Sequence, residues 1–219
     1  MARLPRLALP GFAHYVIQRG HNGQAVFVDA RDRAAYRTAL ADAAAAEPVQ
    51  VHAWALLDSE VQLLVTPTES GALSRFMQAL NRRYVSAFNR RHTRSGTLWD
   101  GRFRAAVVEP GSLPLQALVL IDGADTPEHT TAGHRLGGAH ATWVVDPPEY
   151  WALGNTPFER EAAYRALLAT GLPASTAGML RSAALGGWAA GMTAAAPAAL
   201  DGGRPLRPRR PGRPRLASG

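Results

Sequence analysis

The residues in this chain best suited to chemistry are its arginines, and their spacing names the chemistry. All 24 basic residues of the 219 are Arg, against 17 acids, for a formal charge of +7. Eight of them, Arg75, Arg82, Arg83, Arg90, Arg91, Arg94, Arg102 and Arg104, fall in a stretch whose only acid is Asp100. Six more, Arg204, Arg207, Arg209, Arg210, Arg213 and Arg215, fall in a stretch with none, which leaves ten arginines against sixteen acids elsewhere. A guanidinium is permanently charged and presents paired N–H groups to phosphate oxygens, so two such concentrations on an otherwise acidic chain point to nucleic acid. The Ala, Arg, Gly and Pro bias without Lys suggests a GC-rich genome, so the clustering carries the argument and the Arg content does not. Other chemistries are poorly supplied. His129, His134 and His140 share a segment, but their spacing fits no standard metal site. Ser59 and Ser112 have no evident His partner for a triad. With no Cys there is neither a disulfide framework nor a thiolate metal site.

The elements that must position these groups can be read from periodicity. His14–Arg19, Val49–Leu57, Val61–Val65 and Arg104–Glu109 read as strands, the middle two joined across the polar turn Asp58-Ser59-Glu60. Ala30–Ala46, with Tyr36, Leu40 and an Ala run, favours helix. From Gly71 to about His92, Leu73, Phe76, Met77, Leu80, Tyr84, Ala87 and Phe88 form one apolar helical stripe, leaving Arg75, Arg82, Arg83, Arg90 and Arg91 on the polar face. The order β-α-β-β-α-β is that of an α+β, ferredoxin-like sandwich. A further helix is expected over Leu113–Ile121, a Gly/Thr/His-rich loop over Gly123–His140, and helices over Thr156–Leu168 and Ser175–Leu185. The expected organisation is a domain over 1–125, a small helical extension over 126–200, and a disordered Arg/Pro tail over 201–219. No apolar run approaches the roughly 18 residues of a membrane span, and the N-terminus is too short and Pro-broken for a secretory leader. A cytoplasmic, nucleoid-associated protein that makes no membrane contact is expected.

Several segments together resemble the REP-associated tyrosine transposases, bacterial IS200-like members of the HUH single-strand nuclease superfamily. Gln18-Arg19-Gly20-His21-Asn22 with Val26-Phe27 looks like that family's opening motif. Phe76-Met77-Gln78-Ala79-Leu80, Arg83-Tyr84 and Phe88-Asn89-Arg90-Arg91 match its long basic helix. Gly96-Thr97-Leu98-Trp99-Asp100-Gly101-Arg102-Phe103 is the most specific match. Tyr150 to Leu168, Gly186-Gly187-Trp188 and the Arg-Pro tail resemble the extension that many members carry. The resemblance implies recognition of imperfect palindromes in single-stranded DNA folded as hairpins, by a monomer or a homodimer. It also implies cleavage by one Tyr that stays linked to the DNA 5′ end. Mg²⁺ or Mn²⁺, held by two His of a His-hydrophobic-His triplet, polarises the phosphate in such enzymes. A phenol with a pKa of about 10 is a poor nucleophile without such help.

The catalytic parts that the resemblance implies are not written here. The framework around Leu56-Leu57-Asp58-Ser59-Glu60-Val61-Gln62-Leu63-Leu64 is family-like, but Glu60 and Gln62 stand where the two His belong. Both are oxygen donors at alternating positions, which Mg²⁺ accepts, so residual metal binding stays open beside the reading that they are ordinary strand residues. Leu120 aligns with the nucleophilic Tyr. The five tyrosines are Tyr15, Tyr36, Tyr84, Tyr150 and Tyr164, none of them between 85 and 149. The expected reading is a DNA-binding protein without cleavage activity and without a cofactor. It competes with an active transposase using other ligands and another nucleophile, and with a decaying gene copy. DNA contact is expected from Arg19, the eight clustered arginines, and Trp99 as a stacking platform beside Arg94, Arg102 and Arg104. The other reading of Trp99 closes the end of the core. In the tail, Arg207, Arg209, Arg210, Arg213 and Arg215 resemble minor-groove hooks or form a nonspecific basic tail.

Overall fold

Four strands form an antiparallel sheet in the order β2-β3-β1-β4. The structure is a computed structural model and describes residues 6–125, 127–138 and 140–192. The strands are β1 (His14–Arg19), β2 (Val49–Leu57), β3 (Glu60–Pro67) and β4 (Arg104–Val107). Between them run α1 (Ala30–Ala46) and α2 (Ala72–Arg91), so the expected β-α-β-β-α-β order and its ferredoxin-like interleaving are both present. Several boundaries differ by one or two residues from the sequence reading: β3 runs on to Pro67 and β4 ends at Val107 rather than Glu109. Glu60 belongs to β3 and not to the turn, because it pairs with Leu57 on one side and Arg19 on the other. Asp58 and Ser59 alone make the turn, held by Gly20 N–H to the Ser59 carbonyl (2.8 Å) and Val26 N–H to the Asp58 carbonyl (2.7 Å).

The two helices start for identifiable reasons. Asp29 caps α1, its carboxylate accepting from the amides of Arg31 and Asp32. Before α2 the chain passes through Gly71 at φ 75°, a left-handed conformation in which a side chain would be strained. Leu73, Phe76, Met77, Leu80, Tyr84 and Phe88 of the apolar stripe are buried against Val16, Trp54, Leu56, Leu63 and Val65 of the sheet. Ala87, expected in that stripe, is exposed, because it sits at the edge of the helix facing a groove toward α1.

The opposite face of the sheet presents Tyr15, Ile17, Ala53, Ala55, Leu64 and Ala106. It is covered by α3 (Ser112–Asp122), α6 (Pro157–Thr170) and α7 (Ala174–Gly186), which share one core with it. The residues after 126 therefore build no separate core among those described. α6 starts in a capping box, Thr156 with Glu159. The stretch expected as a plain loop contains a 3₁₀ turn (Pro127–His129) and two short helices follow in order, α4 (Ala132–Arg135) and α5 (Pro148–Trp151). Thr131 anchors this segment to β2 through the Trp54 backbone (3.0 Å from its N–H to the Trp54 carbonyl). Arg135, fully buried, ties it to Asp122 (2.9 Å) and Asp146 (2.8 Å), while Tyr164 donates to Asp122 (2.6 Å). No helix among the described residues is long and apolar enough to cross a membrane. The tail residues Arg207, Arg209, Arg210, Arg213 and Arg215 lie outside the described residues.

Candidate nucleic-acid interface

The clustered arginines divide once the chain is folded. Arg75 donates to Glu47 (2.9 Å) and lies 3.6 Å from Glu69. Arg91 is clasped by Asp29 and Asp32, and its guanidinium in turn holds the Asp29 carboxyl well below the usual range. Arg94 donates to Gln24 (3.2 Å) and packs over Phe88. Arg83 lies 3.8 Å from Asp42. Arg82, Arg90, Arg102 and Arg104 form no ion pair or side-chain hydrogen bond among the described residues. The eight-to-one ratio along the chain is therefore not the ratio in space. α1 and its flanks bring Asp29, Asp32, Asp42 and Glu47 across to α2, so Arg75 and Arg91 act first as struts. What stays available is a groove between α1 and α2 lined by Arg82, Arg83, Arg90, Ser86 and Asp42.

Trp99 corrects an expectation. It is 5% exposed and sits in the core, its ring 6.2 Å from Tyr84 and 6.4 Å from Tyr36. As placed it offers no stacking platform, because the Gly-bounded loop folds inward to satisfy its own backbone. His21 N–H donates to the Leu98 carbonyl (3.0 Å), Asp100 N–H to the Arg19 carbonyl (2.8 Å), and Gly20 and Trp99 form a β-bridge. The segments Gln18–Asn22 and Gly96–Phe103 thus meet as one structural unit. Gly20 belongs there for a steric reason, since a Cβ would lie 2.1 Å from the Gln24 carbonyl oxygen. The consequence of this closure is a cleft of about 350 Å³ lined by Arg19, Arg102, Arg104, Asp100, Ile17 and Leu185.

Beside that cleft lie the two positions at which the resemblance expects metal-binding His. Both side chains are buried and both are fully engaged. Glu60 Oε1 accepts from Gln62 Nε2 (2.8 Å) and from one Arg181 nitrogen (2.8 Å). Its Oε2 accepts from Arg19 Nε (3.0 Å) and from the other Arg181 nitrogen (3.1 Å). Gln62 Oε1 accepts from the Tyr15 hydroxyl (2.7 Å). Burial alone would raise the Glu60 carboxyl, but the bonds from Arg181, Arg19 and Gln62 outweigh it and hold it below the ordinary carboxylate range. A divalent cation needs several free oxygen ligands around one point. Here each ligand oxygen already accepts a donor, and a bidentate guanidinium lies against the carboxylate, so the residues present do not fit a metal. No group of three His, Cys, Asp or Glu among the described residues could hold one elsewhere. His134 and His140 stack at 4.3 Å, and His129 pairs with Asp125.

The nucleophile is equally unsupported. Leu120, on α3, packs against the apolar cluster under the sheet. Tyr15 has the hydroxyl beside Gln62, but the residue is fully buried, its proton is donated inward, and burial pushes the phenol up, away from the phenolate. Tyr36 and Tyr84 lie in the core under α1 and α2, and Tyr150 and Tyr164 pack around Arg135. Sequence reasoning missed Tyr15 and Arg181 as members of this site. Tyr15 was findable, since positions 15, 17 and 19 share a strand face with Glu60 and Gln62 across the register. Arg181 was not, because α7 reaches Glu60 from 121 residues away.

No family model and no curated protein matches the chain. Among solved structures, a REP-associated tyrosine transposase bound to a REP hairpin is similar at a TM-score of 0.44 and 15% identity, over 51% of this chain and 65% of that one. A protein of Deinococcus radiodurans R1, described as a candidate transposase, is similar at a TM-score of 0.39 and 17% identity, over 50% of this chain and 88% of that one. This chain thus spans 65% of the length of the first.

Proposed function

We propose that this protein binds single-stranded, hairpin-forming DNA on a transposase-like scaffold without cutting it. The observation that carries the reading is the saturation of Glu60 and Gln62 by Arg19, Arg181 and Tyr15, beside a cleft whose Arg102 and Arg104 are unpaired among the described residues. Cleavage of a phosphodiester needs an activated hydroxyl and a group that neutralises the attacked phosphate. Leu120 cannot attack phosphorus, and the nearest phenol is buried with its proton committed to Gln62. Binding needs only exposed cationic groups, which the cleft and the α1–α2 groove supply. The sequence resemblance names the nucleic acid as single-stranded DNA with a hairpin.

The test is incubation of the protein with a labelled single-stranded REP hairpin in the presence of Mn²⁺. Salt-sensitive binding without a covalent product is the expected outcome. An SDS-resistant protein–DNA adduct would overturn the reading and restore an active transposase, and absence of binding at moderate salt would leave a chain with no retained activity. The combined change Arg82→Ala, Arg83→Ala and Arg90→Ala should weaken binding and lower the salt slope by about one for each phosphate that is no longer neutralised. Arg91 is kept in this variant because it braces Asp29 and Asp32.

A further inference from the structure

We infer that Arg181 is a built-in counter-cation, and that with it the Arg19–Arg102–Arg104 cleft binds a nucleic-acid phosphate without any divalent metal. The inference rests on the reading of the chain as a nucleic-acid-binding protein and assigns the phosphate site within it.

The geometry starts from charge. A carboxylate beside a phosphate repels it unless a cation stands between them. In a metal-dependent site the ion does this. Here Arg181 grips both oxygens of Glu60 in the fork geometry that suits a carboxylate, at 2.8 and 3.1 Å, and Arg19 adds a third bond at 3.0 Å. Glu60 is therefore neutralised by groups that are part of the fold. Arg181 is itself positioned by packing. It lies on α7, one turn before Leu185, which forms part of the cleft wall, and near Leu180 and Ala184, which are fully buried against the sheet. The C-terminal helix thus delivers the cation as a fixed component.

Beside this centre, itself one charge positive, the cleft has further surplus charge. Arg102 and Arg104 line it with no partner among the described residues, and Asp100 is the one acid in its wall. Counting Arg19 and Arg181, four guanidiniums face two carboxylates, Glu60 and Asp100. Such an excess in a recess of about 350 Å³ suits a single tetrahedral oxyanion with part of its sugar. Arg104 is held in β4 opposite Ile17, and Arg102 follows Gly101 at φ 69°, so both donors stand on backbone set by the sheet and by the closed Gly96–Phe103 loop. The ligand class is a phosphodiester or terminal phosphate of a single strand.

The experiment measures anisotropy of a fluorescent oligothymidylate bound to the full chain, in EDTA and again in Mg²⁺. Wild type should bind equally in both. Arg102→Ala with Arg104→Ala should weaken binding about tenfold or more in either buffer, as removal of charge-assisted hydrogen bonds requires. The control pair Arg31→Ala and Arg165→Ala removes the same charge from exposed helix surfaces and should change affinity by less than about threefold. Arg181→Met keeps the length of the side chain and removes the cation. It should weaken binding in EDTA, with partial recovery in Mg²⁺ or Mn²⁺ at Glu60. A wild type that binds only with a divalent ion overturns the inference, as does an Arg181→Met protein equal to wild type in both buffers. Cleft variants that behave like the control pair overturn the cleft alone while DNA binding stands. A wild type that binds no single strand removes the nucleic-acid reading and this inference together.

Discussion

Two charged clusters lie on the same side of the sheet, and they differ in how completely their charge is used. Around Arg135 every guanidinium nitrogen has an acceptor, and the two carboxylates outnumber the one cation. The guanidinium is fully buried, Asp122 and Asp146 receive it, Tyr164 donates to Asp122, and the His52 carbonyl takes a further bond. Around Glu60 the cations outnumber the acids, Arg19 and Arg181 are 46% and 35% exposed, and the excess faces a cleft. A buried ion pair cannot tolerate a missing partner, since the remaining charge then sits unpaired at low dielectric. A cleft with spare cations has not completed its own charge balance, and a polyanion can complete it. A cation whose donors are all taken inside the fold acts as a staple, whereas surplus cations at a cleft leave charge that a polyanion can balance.

The largest break in this comparison comes from removing Arg135. Arg135→Ala should destabilise the protein by about 3–5 kcal/mol, because Asp122 is left buried without its cation. Denaturant titration measures it, and a loss below about 1 kcal/mol would show that the cluster is no staple. Trp99 tests the same division in the loop that closes the cleft. Trp99→Ala should cost about 3–5 kcal/mol of stability as a core truncation, whereas Trp99→Phe should keep single-strand affinity close to wild type. A Phe variant of unchanged stability that loses DNA affinity would return Trp99 to the interface. The smallest effect belongs to the half-open cluster. Glu60 has a folded pKa below its ordinary 4.5, so its ionised form stabilises the fold. That contribution is fully present above the ordinary carboxylate pKa and is lost as pH falls through the depressed one. Glu60→Gln should therefore lie about 1–2 kcal/mol below wild type near pH 7, and the gap should narrow as pH falls below the ordinary carboxylate range. A gap that does not change over this range would exclude ionised Glu60 as its source.

Much of this was legible along the chain. β1, β2 and α1 have the bounds that β-branched and aromatic content and the Ala run indicate, although both strands are buried on both faces and show no full alternation. The apolar stripe of α2 was readable from its helical period, with Ala87 as the exception. The presence of Glu60 and Gln62 where the resemblance expects His, and the absence of any tyrosine between 85 and 149, needed no structure. What was misread was the state of particular charges and rings. Arg75 and Arg91 looked available because their acids, Glu47, Asp29 and Asp32, lie in other elements. Trp99 looked exposed because a Gly-bounded loop gives no signal of the direction in which it folds.

The sequence by itself determined the element order, the apolar stripe of α2, the two concentrations of arginine and the absence of any tyrosine between positions 85 and 149. All of these follow from residue type and local period, which are properties of neighbours along the chain. Only the tertiary structure decided which arginines are struts and which are spare, and that Arg181 lies against Glu60. Those outcomes depend on segments up to 121 residues apart meeting in space. The packing of α7 on the sheet sets that meeting, and no local pattern encodes it.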